Sequence, residues 1–267
     1  MGILNLTPDS FSDGGRLFSN NRTRLDEVLK TASQMQADGA DILDLGGEST
    51  RPGAQPVSSQ EELDRVLPAL ECIRRELDVA ISIDTSNPEL MTQAAEMGAD
   101  MLNDVRSLGR TGALEAAVNS GLPVCLMHMQ GDPGTMQANP QYEDVTGEVG
   151  SYLSQQLRRC EQAGIARERI ILDPGFGFGK SLAHNLQLLH ELPKLVELGQ
   201  PLLVGLSRKR MVAELTGRQA PEDRLAGSLA LAQVALDKGA RIIRCHDVAP
   251  TCDMMRTWNA IRHNDIP

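Results

Sequence analysis

Aromatic side chains are scarce in this chain, 3% of 267 residues, with one Trp, two Tyr and four Phe. Few of them are available to stack on a bound ring, so Phe176 and Phe178, two positions apart, stand out. Basic residues are outnumbered, 26 Lys and Arg against 36 Asp and Glu, for a formal charge of −10 and a pI near 5.0. That balance argues against nonspecific attraction to a nucleic-acid backbone and leaves room only for a local basic pocket suited to a small anion. The five cysteines, Cys72, Cys125, Cys160, Cys245 and Cys252, form no CxxC pair. An odd, dispersed set predicts packing roles in a reducing compartment rather than disulfides. No apolar run nears the roughly 20 residues of a membrane helix, and the chain does not open on a cationic stretch followed by an apolar one. No nucleic acid and no membrane is expected as a partner, and the cytoplasm is the expected location.

What is present is a repeated pattern. Ile170-Ile171-Leu172-Asp173-Pro174-Gly175-Phe176-Gly177-Phe178-Gly179-Lys180 reads as a short buried strand that ends on a carboxylate. Pro174 stops its ladder and the glycines permit a tight turn. Apolar runs that end on a polar residue recur at Ile3-Leu4-Asn5, Ile42-Leu43-Asp44, Ile81-Ser82-Ile83-Asp84, Met101-Leu102-Asn103, Val124 to His128, Leu202 to Ser207 and Ile242 to His246. Helical periodicity fills the gaps. Eight strand-then-helix units predict an α/β fold, a (β/α)8 TIM barrel with its active site at the C-terminal ends of the strands. With 41% hydrophobic residues and no linker, one domain spanning 1–267 is expected rather than two.

Taken in order, the first strand has almost no lead-in, and residues 7–15 read as a long polar loop. A first helix is expected over 23–37. A second is expected to follow Ser59, with Glu62 as capping-box partner and Pro68 bending it or marking a loose turn. Later helices are expected over 112–119, 145–162, 184–192, 222–238 and up to residue 263, and the last two strands over 201–204 and 241–245.

Asp84, Asn103 and Asp173 end three strands and so face one cavity. Two carboxylates and an amide suit a flat heterocycle bearing amino and ring N–H groups; the alternative is that the carboxylates cap helices or pair with nearby Arg and Lys. Arg51, Arg244 and His246, with Asn5, form a candidate anion site at the same rim, the alternative for an arginine there being a surface ion pair. Magnesium suits a polyphosphate and takes Asn5 as an oxygen ligand. Lys209, in Ser207-Arg208-Lys209, either stabilises charge on a bound ring or starts a solvated basic helix. Phe176 or Phe178 either covers an aromatic substrate or closes the barrel mouth. No GxxxxGK phosphate loop, zinc spacing or nucleophile elbow occurs.

Four stretches in this order, Asn5 to Gly15, Gly46 to Gly53, Asp173 to Lys180 and Ser207-Arg208-Lys209, resemble the bacterial dihydropteroate synthases, pterin-binding TIM-barrel transferases of folate biosynthesis and the sulfonamide target. The likeness runs from Gly2 to about the last helix. It implies condensation of 7,8-dihydropterin-6-ylmethyl diphosphate with 4-aminobenzoate to give 7,8-dihydropteroate and pyrophosphate, by dissociative displacement at the pterin methylene. By the same resemblance Asp84, Asn103, Val105, Met127, Asp173, Gly205 and Lys209 hold the pterin. Asn5, Arg51, Arg244 and His246 hold the diphosphate, with Mg2+ on Asn5, and Phe11, Thr50, Pro52, Phe178 and Ser207 line the 4-aminobenzoate side. Asp13 joins Asp84, Asp173 and Lys209 in the chemistry.

The family's members usually carry an upstream segment, often a small hairpin, whereas this sequence opens inside the first strand, so either the true start is earlier or the barrel floor is less well covered. A homodimer through the late helices is implied, and Met254, Met255, Trp258 and Ile261 give the last helix a candidate apolar face. Two other readings compete. A pterin-dependent methyltransferase would not need the first loop together with Thr50-Arg51-Pro52 and Ser207-Arg208-Lys209. A silent pterin-binding paralogue would not need Asp13 and Arg244.

Overall fold

A computed structural model describes residues 1–7, 18–19, 22–49, 57–131 and 135–263. Among these, strands β1 (Gly2–Asn5), β2 (Ile42–Gly46), β3 (Ala80–Asp84), β4 (Met101–Asp104), β5 (Val124–Met127) and β6 (Ile170–Asp173) lie side by side in chain order, all parallel. Strands β7 (Leu203–Val204) and β8 (Ile242–Ile243) form a second parallel pair. Two bridges join the sets, Leu172 with Leu202 and Gly2 with Cys245. The second is made by Ile3 N–H donating to Cys245 O and Cys245 N–H donating to Met1 O, each at 3.0 Å. The sheet therefore closes on itself, and the fold is the expected (β/α)8 barrel.

Strand alternation sorts the side chains into two sets. Leu4, Leu43, Leu45, Ile81, Ile83, Leu102, Val124, Leu126, Ile170, Leu172 and Val204 belong to one large core cluster shared with the helices. Met101, Cys125 and Leu203 form a separate small cluster, flanked by Met1, Ile171 and Ile242. Their source on successive strands makes this the apolar filling inside the barrel. Two residues further along those strands the same face carries Asn103, Met127, Asp173, Gly205 and Arg244. The polar site is thus the layer stacked on that apolar filling.

The helices follow the predicted periodicity: α1 (Leu25–Ala37), α2 (Ser59–Glu76), α3 (Pro88–Glu96), α4 (Ala113–Ser120), α5 (Val145–Gln162), α6 (Leu182–His190), α7 (Leu192–Val196), α8 (Arg210–Thr216), α9 (Leu225–Asp237) and α10 (Val248–His263). Several local expectations are corrected. Ser58, not Ser59, caps α2, its hydroxyl accepting from Glu61 N–H at 3.2 Å. Glu62 instead turns inward, where it accepts from the Thr85 hydroxyl at 2.6 Å. Pro68 marks no loose turn, since α2 runs as helix through it to Glu76. Helix α6 starts two residues before the expected 184, because Ser181 and His184 form a reciprocal capping box. An antiparallel pair, Phe18–Ser19 with Arg22–Thr23, precedes α1 where helix had been expected from Thr23. On α10, Met254, Met255 and Trp258 pack against the core, and only Ile261 of the expected apolar face is well exposed. Among the described residues no helix is long and apolar enough to cross a membrane.

Candidate active site

Toward the C-terminal mouth, Asp44 of β2, Asp84 at the end of β3 and Asn103 near the end of β4 meet the residue that follows β8. Arg244 donates from Nε to Asp44 Oδ2 at 2.5 Å and from Nη2 to Asp84 Oδ2 at 2.8 Å. Asn103 Nδ2 donates to the same Asp44 oxygen at 3.1 Å. Arg244 had been expected at an anion site on the same rim as the carboxylates; the structure places its side chain directly against two of them, since alternation on β8 turns it inward. Burial is the main influence on Asp84 and pushes its carboxyl up to about 7; Arg244 pulls it down, and Asp44, Asp104 and Glu62 push it up again. Arg244 itself is held above its ordinary value, because the carboxylates of Asp44 and Asp84 outweigh its desolvation.

Across the mouth, Asp173 ends β6 and its Oδ1 accepts from Gly175 N–H at 2.7 Å. Burial raises its pKa, with Lys209 the leading opposing influence. The turn that follows is built on glycines with positive φ, Gly175 at 69°, Gly177 at 78° and Gly179 at 60°. A Cβ on Gly175 would lie 1.9 Å from His128 O, so no other residue fits between β5 and β6 there. Lys180 locks the turn from beneath. Its ammonium reaches Gly175 O at 2.9 Å, Phe178 O at 3.1 Å and His128 Nδ1 at 2.9 Å, and its side chain is almost wholly buried. Phe176 points into the core and is fully buried, while Phe178 is half-buried at the mouth.

Lys209 is not the start of a solvated basic helix. Its ammonium donates to Phe176 O and lies 4.5 Å from the centre of the Phe178 ring. Desolvation lowers its pKa to about 8, against the pull of Asp173, and Arg244 lowers it further. It is aimed by the residue before it. Arg208 sits at φ 56°, strained for a residue with a side chain, and is pinned by Asp247 at 2.5 and 2.9 Å and by its N–H donating to the Ser228 hydroxyl.

Ser207 and His246 lie together: Ser207 Oγ accepts from His246 N–H at 3.2 Å and lies 3.1 Å from its Nδ1. Val105 and Met127 are buried beside Asn103 and Asp173, and Gly205 adjoins Arg244. Asn5 ends β1, paired in register with Gly46 of β2. Phe11, Asp13, Thr50, Arg51 and Pro52 lie outside the described residues. The segment leading to Thr50 is tied down at Gly47 and Glu48: Arg65 donates to Gly47 O at 2.8 Å, and Arg106 pairs with Glu48 at 3.0 Å. Among the described residues no group of three His, Cys, Asp or Glu could hold a metal ion.

Sequence reasoning missed Asp44 and Lys180 as parts of this site. Asp44 matched the strand-end pattern as well as Asp84 did, and Lys180 closes the glycine-rich turn in sequence, but their partners are set by strand packing.

A barrel whose mouth gathers three Asp, an Asn, a Lys and an Arg over an apolar filling defines a class of small-molecule enzymes that hold a polar planar ring. The pterin-binding enzyme family matches residues 1–246. The dihydropteroate synthase of Escherichia coli (strain K12) is 54% identical over 260 residues, 97% of this chain and 90% of that protein. The crystal structure of the Yersinia pestis dihydropteroate synthase with a sulfonamide drug complex superposes with TM-score 0.94 at 51% identity, over 98% of this chain and 93% of that one. The Xanthomonas albilineans dihydropteroate synthase with 4-aminobenzoic acid gives TM-score 0.90 at 47% identity, over 100% and 93%. The chain belongs to the pterin-binding enzyme family, and the relatives it resembles within that family are dihydropteroate synthases.

Proposed function

We propose that this chain is a dihydropteroate synthase, joining 7,8-dihydropterin-6-ylmethyl diphosphate to 4-aminobenzoate with release of pyrophosphate. The observation that carries the reading is the inward layer of Asp84, Asn103, Asp173, Lys209 and Arg244, in a chain 54% identical to a synthase over 97% of its length. Asp84, Asn103 and Asp173 accept and donate along the polar edge of the pterin, with Val105, Met127 and Gly205 forming the slot around it. Lys209 donates to a ring heteroatom; with a pKa near 8 it is mostly protonated at neutral pH.

Asn5, Arg51, Arg244 and His246 receive the diphosphate. The C–O bond at the methylene breaks with its electron pair leaving on the diphosphate, and the cation left on the pterin is stabilised by the Asp84 and Asp173 carboxylates. The arylamine nitrogen of 4-aminobenzoate, held by Phe11, Thr50, Pro52, Phe178 and Ser207, forms the new C–N bond and loses a proton, with Asp13 orienting it. An arylamine is a weak nucleophile, which favours forming the electrophile first.

Asn5 ends β1 at this mouth, and its amide oxygen would be the protein ligand of Mg2+, a hard cation that takes oxygen donors and keeps waters. Bound there, Mg2+ would supply charge neutralisation to the departing diphosphate. We assign one domain to residues 1–267, a cytoplasmic setting supported by five free cysteines, and a homodimer through the late helices, supported by the exposed Val234 and Ile261.

Binding of the pterin diphosphate, measured by calorimetry, tests the site. Asp84→Asn and Asp173→Asn are each expected to weaken it by about 10- to 100-fold, the worth of a charged hydrogen bond. Unchanged affinity in both variants would remove the carboxylates from the pterin site.

A further inference from the structure

Asp44 has no task in the reaction described above, yet it is the most enclosed carboxylate at the mouth, with 0% exposure. A carboxylate taken out of water is retained only when it is well paired. Its Oδ2 accepts from both Asn103 Nδ2 and Arg244 Nε, while its Oδ1 finds no hydrogen-bond partner among the described residues. These two donors belong to the two halves of the site, Asn103 on the pterin side and Arg244 on the diphosphate side. They approach Asp44 from β4 and from the residue after β8.

We propose that Asp44 is a positioning residue that orients Asn103 and Arg244 together and so couples the two halves of the substrate. The proposal rests on the reading of this cavity as the site for a pterin diphosphate. A carboxylate accepts only from the NH2 end of an amide, so Asp44 decides which way round Asn103 stands and presents its carbonyl oxygen to the heterocycle. By holding Arg244 at Nε, Asp44 fixes the plane of the guanidinium and leaves its terminal NH2 groups to the ligand side. One of them, Nη2, donates to Asp84. Substrate binding then requires an exchange: the pterin takes over Asp84, the diphosphate takes the terminal NH2 groups, and the Asp44–Nε bond persists as the pivot.

The test is a double-mutant cycle read by calorimetry with two probes, inorganic pyrophosphate and a pterin lacking the diphosphate. Wild type, Asp44→Asn, Arg244→Gln and the double variant are compared. Asp44→Asn is expected to weaken both probes by tenfold or more. The double variant is expected to bind pyrophosphate no more weakly than Arg244→Gln alone, because Asp44 acts on that anion only through Arg244. A purely structural Asp44 would lower the fraction of binding-competent protein and leave the affinity of that fraction unchanged, or its effect would multiply with that of Arg244→Gln; either result overturns the proposal.

A second measurement reads the wild-type protein itself. In 15N NMR of the wild-type protein, the Arg244 Nε–H resonance, assigned by its loss in Arg244→Lys, is expected to stay in slow exchange with water when the pterin diphosphate binds. Its broadening into water on binding would overturn the pivot. Wild-type protein that binds neither probe would sink the reading of the site along with the proposal, whereas binding of both with independent variant effects would sink the proposal alone.

Discussion

Lys180→Met removes a buried donor to two carbonyls of the glycine-rich turn, while nearly preserving side-chain length. The ammonium has 3% of its residue exposed and satisfies Gly175 O, Phe178 O and His128 Nδ1 at 2.9, 3.1 and 2.9 Å. Its pKa falls to about 7 because burial outweighs the attraction of Asp173, with Lys209 adding to the fall, so the site already bears part of the cost of an enclosed charge. Methionine is spared that desolvation but leaves three enclosed acceptors without a donor, each worth about 1–3 kcal/mol. The net loss expected is about 2–4 kcal/mol, or a Tm lower by roughly 5–15 °C for a chain of this size. Phe176 O accepts from Lys209 and the Phe178 ring lies under its ammonium, so a loosened turn also raises KM for both substrates. Scanning calorimetry and steady-state kinetics on wild type and Lys180→Met check both parts. A Tm within about 2 °C of wild type together with unchanged KM values would refute the role given to this lysine.

Two further outcomes concern the same turn. Burial, and then Lys180, lowers the His128 pKa to about 3. The unfolded state therefore takes up a proton below about 6.5 that the folded state refuses, so His128 costs stability as pH falls from about 6.5 toward 3, at up to roughly 1.4 kcal/mol per unit. Asp84, raised to about 7, acts in the opposite sense, gaining stability as pH falls toward the ordinary carboxylate range, so the histidine is isolated by difference. The stability gap between wild type and His128→Gln, from urea melts at pH 7.5 and pH 5, should shrink at the lower pH; a gap independent of pH would contradict this. Gly175→Ala meets His128 O at 1.9 Å and should abolish folding or function. Gly121→Ala, at φ 70° with nothing within 4 Å, should cost only about 1–2 kcal/mol in thermal melts. Equal effects of the two would show that the close approach at Gly175 is not what demands glycine.

The barrel was legible because each strand carries its own signature, an apolar run that stops on a polar residue, and because eight repeats of it admit few arrangements. The gathering of Asp84, Asn103 and Asp173 at one mouth was legible for the same reason: they sit at strand ends. What was not legible depends on pairings far apart in the chain. Arg244 and Asp44 are 200 residues apart, and only barrel closure between β8 and β1 brings them together. Lys180 and His128 meet through the neighbouring ladders of β5 and β6. Local errors had local causes. Two serines in succession, Ser58 and Ser59, both suited the cap of α2, and the choice of the first freed Glu62 to face Thr85. Pro68 suited a bend or a loose turn, and α2 continues through it as helix.

The central claim is tested most directly by mass-resolved detection of 7,8-dihydropteroate from the purified protein, with each substrate omitted in turn and with Mg2+ present or chelated. Dihydropteroate and pyrophosphate formed in equal amounts, only when the pterin diphosphate and 4-aminobenzoate are both supplied, with both products lost on chelation, is the predicted result. A folded protein that binds the pterin diphosphate yet forms no dihydropteroate with both substrates and Mg2+ present would contradict it.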